Sequence, residues 1–215
     1  MKKVPITHLR REYRYEELVE KNVPSNPIPM FKRWFQEALK AEVLDVNALA
    51  LASISASGKP SNRIVLLKGL DSRGFTFFTN YESRKGKELR QKPVASLLFF
   101  WPQLSRQIRI DGKVSKVSTH ESDVYFKTRP RGSQLGAWAS NQSQTVPNRE
   151  YLEARMRALE EQFAGKTIPR PPYWGGFRLV PNTLEFWQGR PNRLHDRLQY
   201  QRKGQGGWKI SRLAP

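Results

Sequence analysis

Three runs decide the fold: Leu49-Ala-Leu-Ala-Ser-Ile-Ser55, Arg63-Ile-Val-Leu-Leu-Lys-Gly-Leu70 and Phe75-Thr-Phe-Phe-Thr-Asn80. Each is short and rich in aliphatic, β-branched or aromatic residues. Turn chemistry separates them, Ala56-Ser-Gly-Lys-Pro60 after the first and Asp71-Ser-Arg-Gly74 before the third. Val94–Trp101 and Gln107–Val117 continue the series. Between Leu49 and Val117 helical periodicity is confined to one brief stretch, capped by Ser83, weakened by Gly86 and closed by Pro93. Closely spaced strands with a turn after each predict a small antiparallel barrel and not a parallel sheet.

Helices flank this series. From Met30 to Val43, Phe31, Trp34, Phe35, Ala38 and Leu39 recur at three- and four-residue steps, with Pro27 and Pro29 at the start where a missing N–H costs least. Ser118-Thr-His-Glu121 is a capping box opening a helix to about Thr128. Pro130 breaks it, and Gly132–Ser140 offers a second short helix. Asn148–Ala164 is the longest helical run, and Ile168-Pro-Arg-Pro-Pro172 is a stiff connector. Strands return at Phe177–Val180, Thr183–Gln188, Arg197–Gln201 and Trp208–Leu213. The expected class is mainly β with added helices. Residues 1–28, polar and broken by Pro5, Pro24 and Pro27, read as a mobile arm, and 29–215 as a single domain.

Composition narrows the function. No apolar run approaches the roughly 18–20 residues a bilayer span needs. The basic N-terminus lacks a following apolar segment, so it does not read as a signal peptide. The absence of cysteine excludes disulfides and thiolate chemistry, and together these features lean cytoplasmic. The three histidines, His8, His120 and His195, are too scattered for a metal site, and none is expected. A formal charge of +19 calls for anionic partners: nucleic acid, an acidic membrane surface or phosphorylated small molecules. Neither a dinucleotide glycine fingerprint nor a P-loop occurs, so side chains would have to hold phosphate.

Three sets could do so, each with a bland alternative. Arg63 and Lys68 bracket an apolar strand, on opposite faces by strict alternation, and would serve two anions unless a bulge intervenes; they could equally be solubilising strand-end charges. Ser83-Arg-Lys85 opens a helix, where cations are unfavourable unless an anion sits there, or where they are simply solvated. Tyr125, Arg129 and Ser133, spaced four and four, would share one side of a continuing helix and clamp a phosphate, or form a solvated face. A fourth constellation lies in Glu185-Phe-Trp-Gln-Gly-Arg-Pro-Asn-Arg-Leu-His-Asp-Arg197. If Arg193–Arg197 is extended, Arg193, His195 and Arg197 project together near Trp187, a cradle for a flat anionic aromatic ligand. The two cations should lower the pKa of His195. A basic edge strand is the bland reading.

The runs Arg63–Lys68, Phe77-Phe-Thr-Asn80, Ser83-Arg-Lys-Gly86, Ser105-Arg-Gln107, Arg129-Pro-Arg-Gly-Ser-Gln-Leu-Gly-Ala-Trp138, Gln142-Ser143, Trp174-Gly-Gly176, Glu185–Arg197 and Trp208–Pro215 together resemble the pyridoxamine 5′-phosphate oxidase family. The resemblance runs in order from about Leu9 to the C-terminus, with Phe78 standing where some members carry tyrosine. It implies an FMN-binding split β-barrel, a homodimer with flavin at the subunit interface, and oxidation of pyridoxamine or pyridoxine 5′-phosphate to pyridoxal 5′-phosphate while O2 becomes H2O2. Carried over by motif, FMN would be held by Arg63, Ile64, Val65, Leu66, Leu67, Lys68, Phe78, Thr79, Arg84, Lys85, Gln107, Gln142, Ser143, Trp187 and Arg197. Substrate phosphate would meet Lys68, Tyr125, Arg129 and Ser133; Arg193, Leu194 and His195 would hold the pyridine, with Arg193 and His195 as the catalytic pair. Arg10 and Tyr13 would cover the site.

The expected chemistry is hydride transfer from substrate C4′ to flavin N5, with the protein holding these atoms about 3–3.5 Å apart. Two rivals remain at this level: a split-barrel flavin reductase or carrier, and a basic nucleic-acid-binding module. The first lacks a use for the Tyr125–Arg129–Ser133 clamp, and the second predicts colourless protein with steeply salt-dependent polyanion affinity.

Overall fold

The computed structural model describes residues 17–204 and 206–215. Arg10 and Tyr13, and the first sixteen residues of the expected arm, lie outside them. Among the described residues are nine strands and five α-helices, with strands dominating the core. In chain order the strands are β1 (Ala48–Ile54), β2 (Pro60–Leu66), β3 (Gly69–Asp71), β4 (Gly74–Asn80), β5 (Val94–Trp101), β6 (Arg106–Lys116), β7 (Trp174–Gln188), β8 (Asp196–Arg202) and β9 (Trp208–Arg212). They hydrogen-bond in the order β2-β1-β5-β6-β7-β4-β3, with β8 on β7 and β9 on β8.

Contacts divide the chain into two compact units. The first comprises 17–49, Leu97–Asp111 and Pro181–Pro215. It contains α1 (Pro27–Lys40), which begins three residues before its sequence-predicted start because Asn26 caps it, its side chain accepting from the Ile28 N–H. Both prolines then fall inside the first turn. Phe31 and Trp34 of α1 are buried, Phe31 against Phe99 and Trp101, and Trp34 edge-on to Phe186 at 5.3 Å. β8 (Asp196–Arg202) pairs antiparallel with Thr183–Gln188 and carries β9 (Trp208–Arg212) on its other edge.

The second unit comprises Ala50–Ser96 and Gly112–Val180. β2 (Pro60–Leu66), β3 (Gly69–Asp71) and β4 (Gly74–Asn80) form here, and β4 pairs antiparallel with Trp174–Leu179. α2 (Arg84–Gln91) is capped by Ser83, whose hydroxyl accepts from the Gly86 N–H. Gly86 is required at that position, because a Cβ would collide with the Tyr81 carbonyl. α3 (Thr119–Thr128) carries the expected capping box, with Ser118 and Glu121 exchanging both bonds. α4 (Arg131–Ala139) and α5 (Arg149–Gln162) follow.

Three expectations are corrected. The run Arg63–Leu70 is not one strand: β2 stops at Leu66, and Lys68 lies in the link to β3, its N–H bonded to the Thr76 carbonyl at 2.8 Å. Strict alternation therefore does not relate Arg63 to Lys68. The two strands expected on either side of Pro181 are one, β7 (Trp174–Gln188). Finally, Arg193–Arg197 is not extended throughout. Pro191–Arg193 is a short 3-10 turn with Asn192 and Arg193 at φ 56° and 60°, and β8 begins only at Asp196.

Candidate active site

In the second unit a cavity of about 410 Å³ opens beside β2 and β4. One wall is Ile64, Val65 and Leu66 of β2, an edge strand whose backbone is available to a ligand. The floor is aromatic. Phe78 stacks on Tyr125 with ring centroids 3.9 Å apart and on Trp174 at 5.6 Å, all three rings nearly parallel.

The cationic end of the cavity is formed where α3 stops. Arg129 caps α3 in an extended conformation, Pro130 turns the chain, and α4 restarts at Arg131. This break, and not the continuous helix that the four-residue spacing suggests, brings Tyr125, Arg129 and Ser133 to one cavity along with Lys68. The Arg129 guanidinium packs 4.6 Å from the Trp174 ring centroid. Its Nη1 is buried and has no hydrogen-bond partner among the described residues. Burial lowers the pKa of Arg129 and raises that of Tyr125, each partly offset by the other. An orphaned guanidinium N–H in a cavity is an unmet demand for an anionic acceptor.

Lys85, Thr79 and Gln142 line a different part of the wall. Lys85 Nζ donates to Gln142 Oε1 at 2.9 Å and to Thr79 Oγ1 at 3.2 Å, and the ammonium is buried. Burial first, and then repulsion from Arg63, push its pKa down to about 8 against the pull of Glu88. Arg63 and Arg84 are not among the lining residues; both bind the buried carboxylate of Glu88. Sequence reasoning passed over Glu88, although its position four residues after Arg84 on α2 was a usable signal. Leu67 and Ser143 do not line the cavity either, and Ser143 is exposed with φ 71°.

The remaining candidates belong to the first unit. Trp187 and Arg197 are register partners on β7 and β8. The His195 ring lies 4.6 Å from the Trp187 ring, centroid to centroid, and its Nδ1 accepts from the Arg190 N–H at 3.1 Å. Burial lowers the His195 pKa, with Arg193 a second cause. Arg197 does not share this effect because it is paired, its Nε and Nη2 reaching the two Glu185 oxygens at 2.8 and 3.1 Å. Glu185, also unforeseen, is buried and holds Arg109 at 2.9 Å as well. Arg193 and Leu194 are exposed, and Gln107 is half-buried on β6 (Arg106–Lys116).

Comparison with known proteins identifies relatives over nearly the whole chain. Residues 35–163 match the family model described as pyridoxamine 5′-phosphate oxidase, and residues 174–215 match that of the pyridoxine 5′-phosphate oxidase C-terminal dimerisation region. A pyridoxine/pyridoxamine 5′-phosphate oxidase of Cyanothece sp. is 55% identical over 212 residues, covering 99% of both chains. One from Cupriavidus taiwanensis is 57% identical over 210 residues, covering 98% of this chain and 99% of its own. Among solved structures, PhzG from Burkholderia lata in complex with tetrahydrophenazine-1-carboxylic acid superposes with a TM-score of 0.87 at 37% identity, covering 93% of this chain and 98% of that one. A pyridoxamine 5′-phosphate oxidase-related, FMN binding protein from Nostoc punctiforme, 18% identical, shares the fold with a TM-score of 0.70 over 88% of this chain and 98% of its own. The fold is the split β-barrel of these proteins, and the chain belongs to the pyridoxamine 5′-phosphate oxidase family.

Proposed function

We propose that the protein oxidises pyridoxamine 5′-phosphate and pyridoxine 5′-phosphate to pyridoxal 5′-phosphate, using FMN and reducing O2 to H2O2. The observation that carries this reading is the buried Nη1 of Arg129, without a partner among the described residues, in a cavity that also presents Lys68, Tyr125 and Ser133. A guanidinium, an ammonium and two hydroxyls fit the oxygens of a phosphomonoester.

The donor set also fits FMN. Lys85, Thr79 and Gln142 supply polar groups on one wall, and Ile64–Leu66 supply an edge-strand backbone beside an aromatic floor. Arg84, Lys85 and Arg63 would receive the cofactor phosphate. When bound, FMN supplies the two-electron acceptor chemistry and returns those electrons to dioxygen.

The chain's own work is binding and orientation. Arg129, Lys68, Tyr125 and Ser133 anchor the substrate phosphate, which fixes the far end of the pyridine and aligns C4′ with its acceptor. Arg193 packs on the pyridine plane, and His195 hydrogen-bonds a ring substituent as a neutral imidazole. For the amine substrate, the two-electron oxidation gives an imine that water converts to aldehyde and ammonia. The alcohol substrate gives the aldehyde directly. A homodimer accords with the dimerisation region matched at residues 174–215 and with the exposed Ile64 and Leu66 of β2. Arg10 and Tyr13 would belong to an N-terminal arm that covers the site.

The test is a visible absorbance scan followed by peroxide detection. A yellow preparation that releases H2O2 on addition of pyridoxamine 5′-phosphate is the expected result. Flavin without peroxide would point to a reductase or carrier, and preferential oxidation of a phosphate-free tricyclic acid would point to PhzG-like chemistry.

A further inference from the structure

A buried carboxylate is an odd neighbour for three cations that await an anion. Glu88 sits one turn after Arg84 on α2 and is 4% exposed. Its Oε2 accepts from the hydroxyls of Ser53 and Ser61, both at 2.6 Å, and lies 3.3 Å from Arg63 Nη2. Its Oε1 accepts from Arg84 Nε at 2.9 Å. Arg63 is further caged by the carbonyls of Leu51 and Ser61, each 3.2 Å from Nη1. Arg84 is held only through Nε, so among the described residues its two terminal nitrogens have no partner, and 60% of its side chain is exposed.

We propose that Glu88 is a positioning residue for the cofactor phosphate, orienting Arg63 and Arg84 beside Lys85 so that the cluster receives a phosphomonoester. This rests on the FMN reading above. The side-on bond to Nε turns the Arg84 fork outward, the geometry needed for bidentate contact with phosphate oxygens. The charges also balance: three cations and one carboxylate leave two positive charges, opposite a phosphomonoester of roughly −1.5 to −2 at neutral pH. Without the carboxylate, Arg63, Arg84 and Lys85 would repel one another with no internal counter-ion, and Lys85 would shed its proton more readily.

The test is a flavin-fluorescence titration of FMN into full-length protein stripped of flavin, across pH 6–10, for wild type, Glu88→Gln and Glu88→Asp, with melting temperatures taken alongside. For Glu88→Gln the dissociation constant should rise at least tenfold at neutral pH, and the loss of affinity with rising pH should begin lower than in wild type. Glu88→Asp keeps the charge but withdraws the carboxylate, so it should weaken binding while leaving the pH profile in place. A Glu88→Gln protein with wild-type affinity and pH profile overturns the inference, even if its melting temperature falls. Should Glu88→Gln not fold, wild-type affinity in Glu88→Asp overturns it equally. Wild type that binds no FMN overturns the cofactor reading and this inference with it, whereas tight wild-type binding with unchanged variants overturns the inference alone.

Discussion

The backbone N–H of Arg190 donates to Nδ1 of His195 at 3.1 Å. A ring nitrogen that accepts carries no proton, so neutral His195 is the Nε2–H tautomer, with Nε2 as its donor. The bond also explains how a side chain on a link between a 3-10 turn and β8 is held in place: its donor is a backbone N–H anchored five residues upstream.

Protonating His195 would break that bond, and its pKa is depressed by burial and then by Arg193. With the folded value below the unfolded 6.5, the unfolded state binds more protons in that window, and stability rises as pH climbs through it. Arg193→Leu should move the His195 titration upward in an NMR experiment. It should also raise KM for the phosphorylated pyridine and lower kcat/KM, with bound FMN retained. Unchanged kinetics would remove Arg193 from the substrate site.

Lys85 titrates near 8 where an unperturbed lysine titrates at 10.5. Its sign is opposite to that of a paired lysine: the ammonium is penalised by folding, so between 8 and 10.5 this group makes the empty fold more stable as pH rises. Cofactor binding should run the other way, since an anion needs the charged form. FMN affinity is expected to fall as pH passes 8, with proton uptake measurable by calorimetry in buffers of different ionisation enthalpy. Lys85→Met should abolish that pH dependence.

Arg129 carries an unsatisfied buried N–H and stacks on Trp174. Leaving such a group unpaired costs about 1–3 kcal/mol. Arg129→Met should therefore leave thermal stability unchanged or higher while raising KM for pyridoxamine 5′-phosphate by at least about tenfold, roughly 1.4 kcal/mol. A variant that melts lower and keeps its KM would make Arg129 a packing residue.

Glu121 serves the α3 capping box and binds Arg178 at 2.6 Å. The Arg178 hydrogen bond, against burial and with help from Ser118, holds its pKa down to about 2. A depressed carboxylate stabilises the fold above its unfolded value of 4.5, and that contribution is lost as pH falls through about 2. Glu121→Ala should cost about 1–2 kcal/mol from cap and pair combined, discounted for partial exposure. Urea denaturation at pH 7 and at pH 3 should show most of the difference at pH 7.

Local signals were read well where a single element carries them. The Ser118 and Ser83 caps, the strand Val94–Trp101 and the turns around β4 all follow from neighbouring residues alone. Apolar periodicity begins only after the Asn26 cap, so the helix starts ahead of its periodic segment. Residue patterns do not show where the backbone changes conformation within a motif. Lys68 leaves the strand that Arg63 occupies, and Asn192 and Arg193 take positive φ. Neither event has a residue signature as plain as glycine.

Residue types and their order were enough to name the strand-rich class and the family resemblance and to nominate candidate phosphate-binding side chains, because strand propensity, caps and guanidinium chemistry are local properties. Tertiary structure alone decided which of those cations are open and which are held. Arg129 keeps a bare N–H, whereas Arg63 and Arg197 are engaged by Glu88 and Glu185, carboxylates 25 and 12 residues away along the chain. Burial and pairing at that range depend on how strands and helices pack, and no pattern of neighbours encodes them.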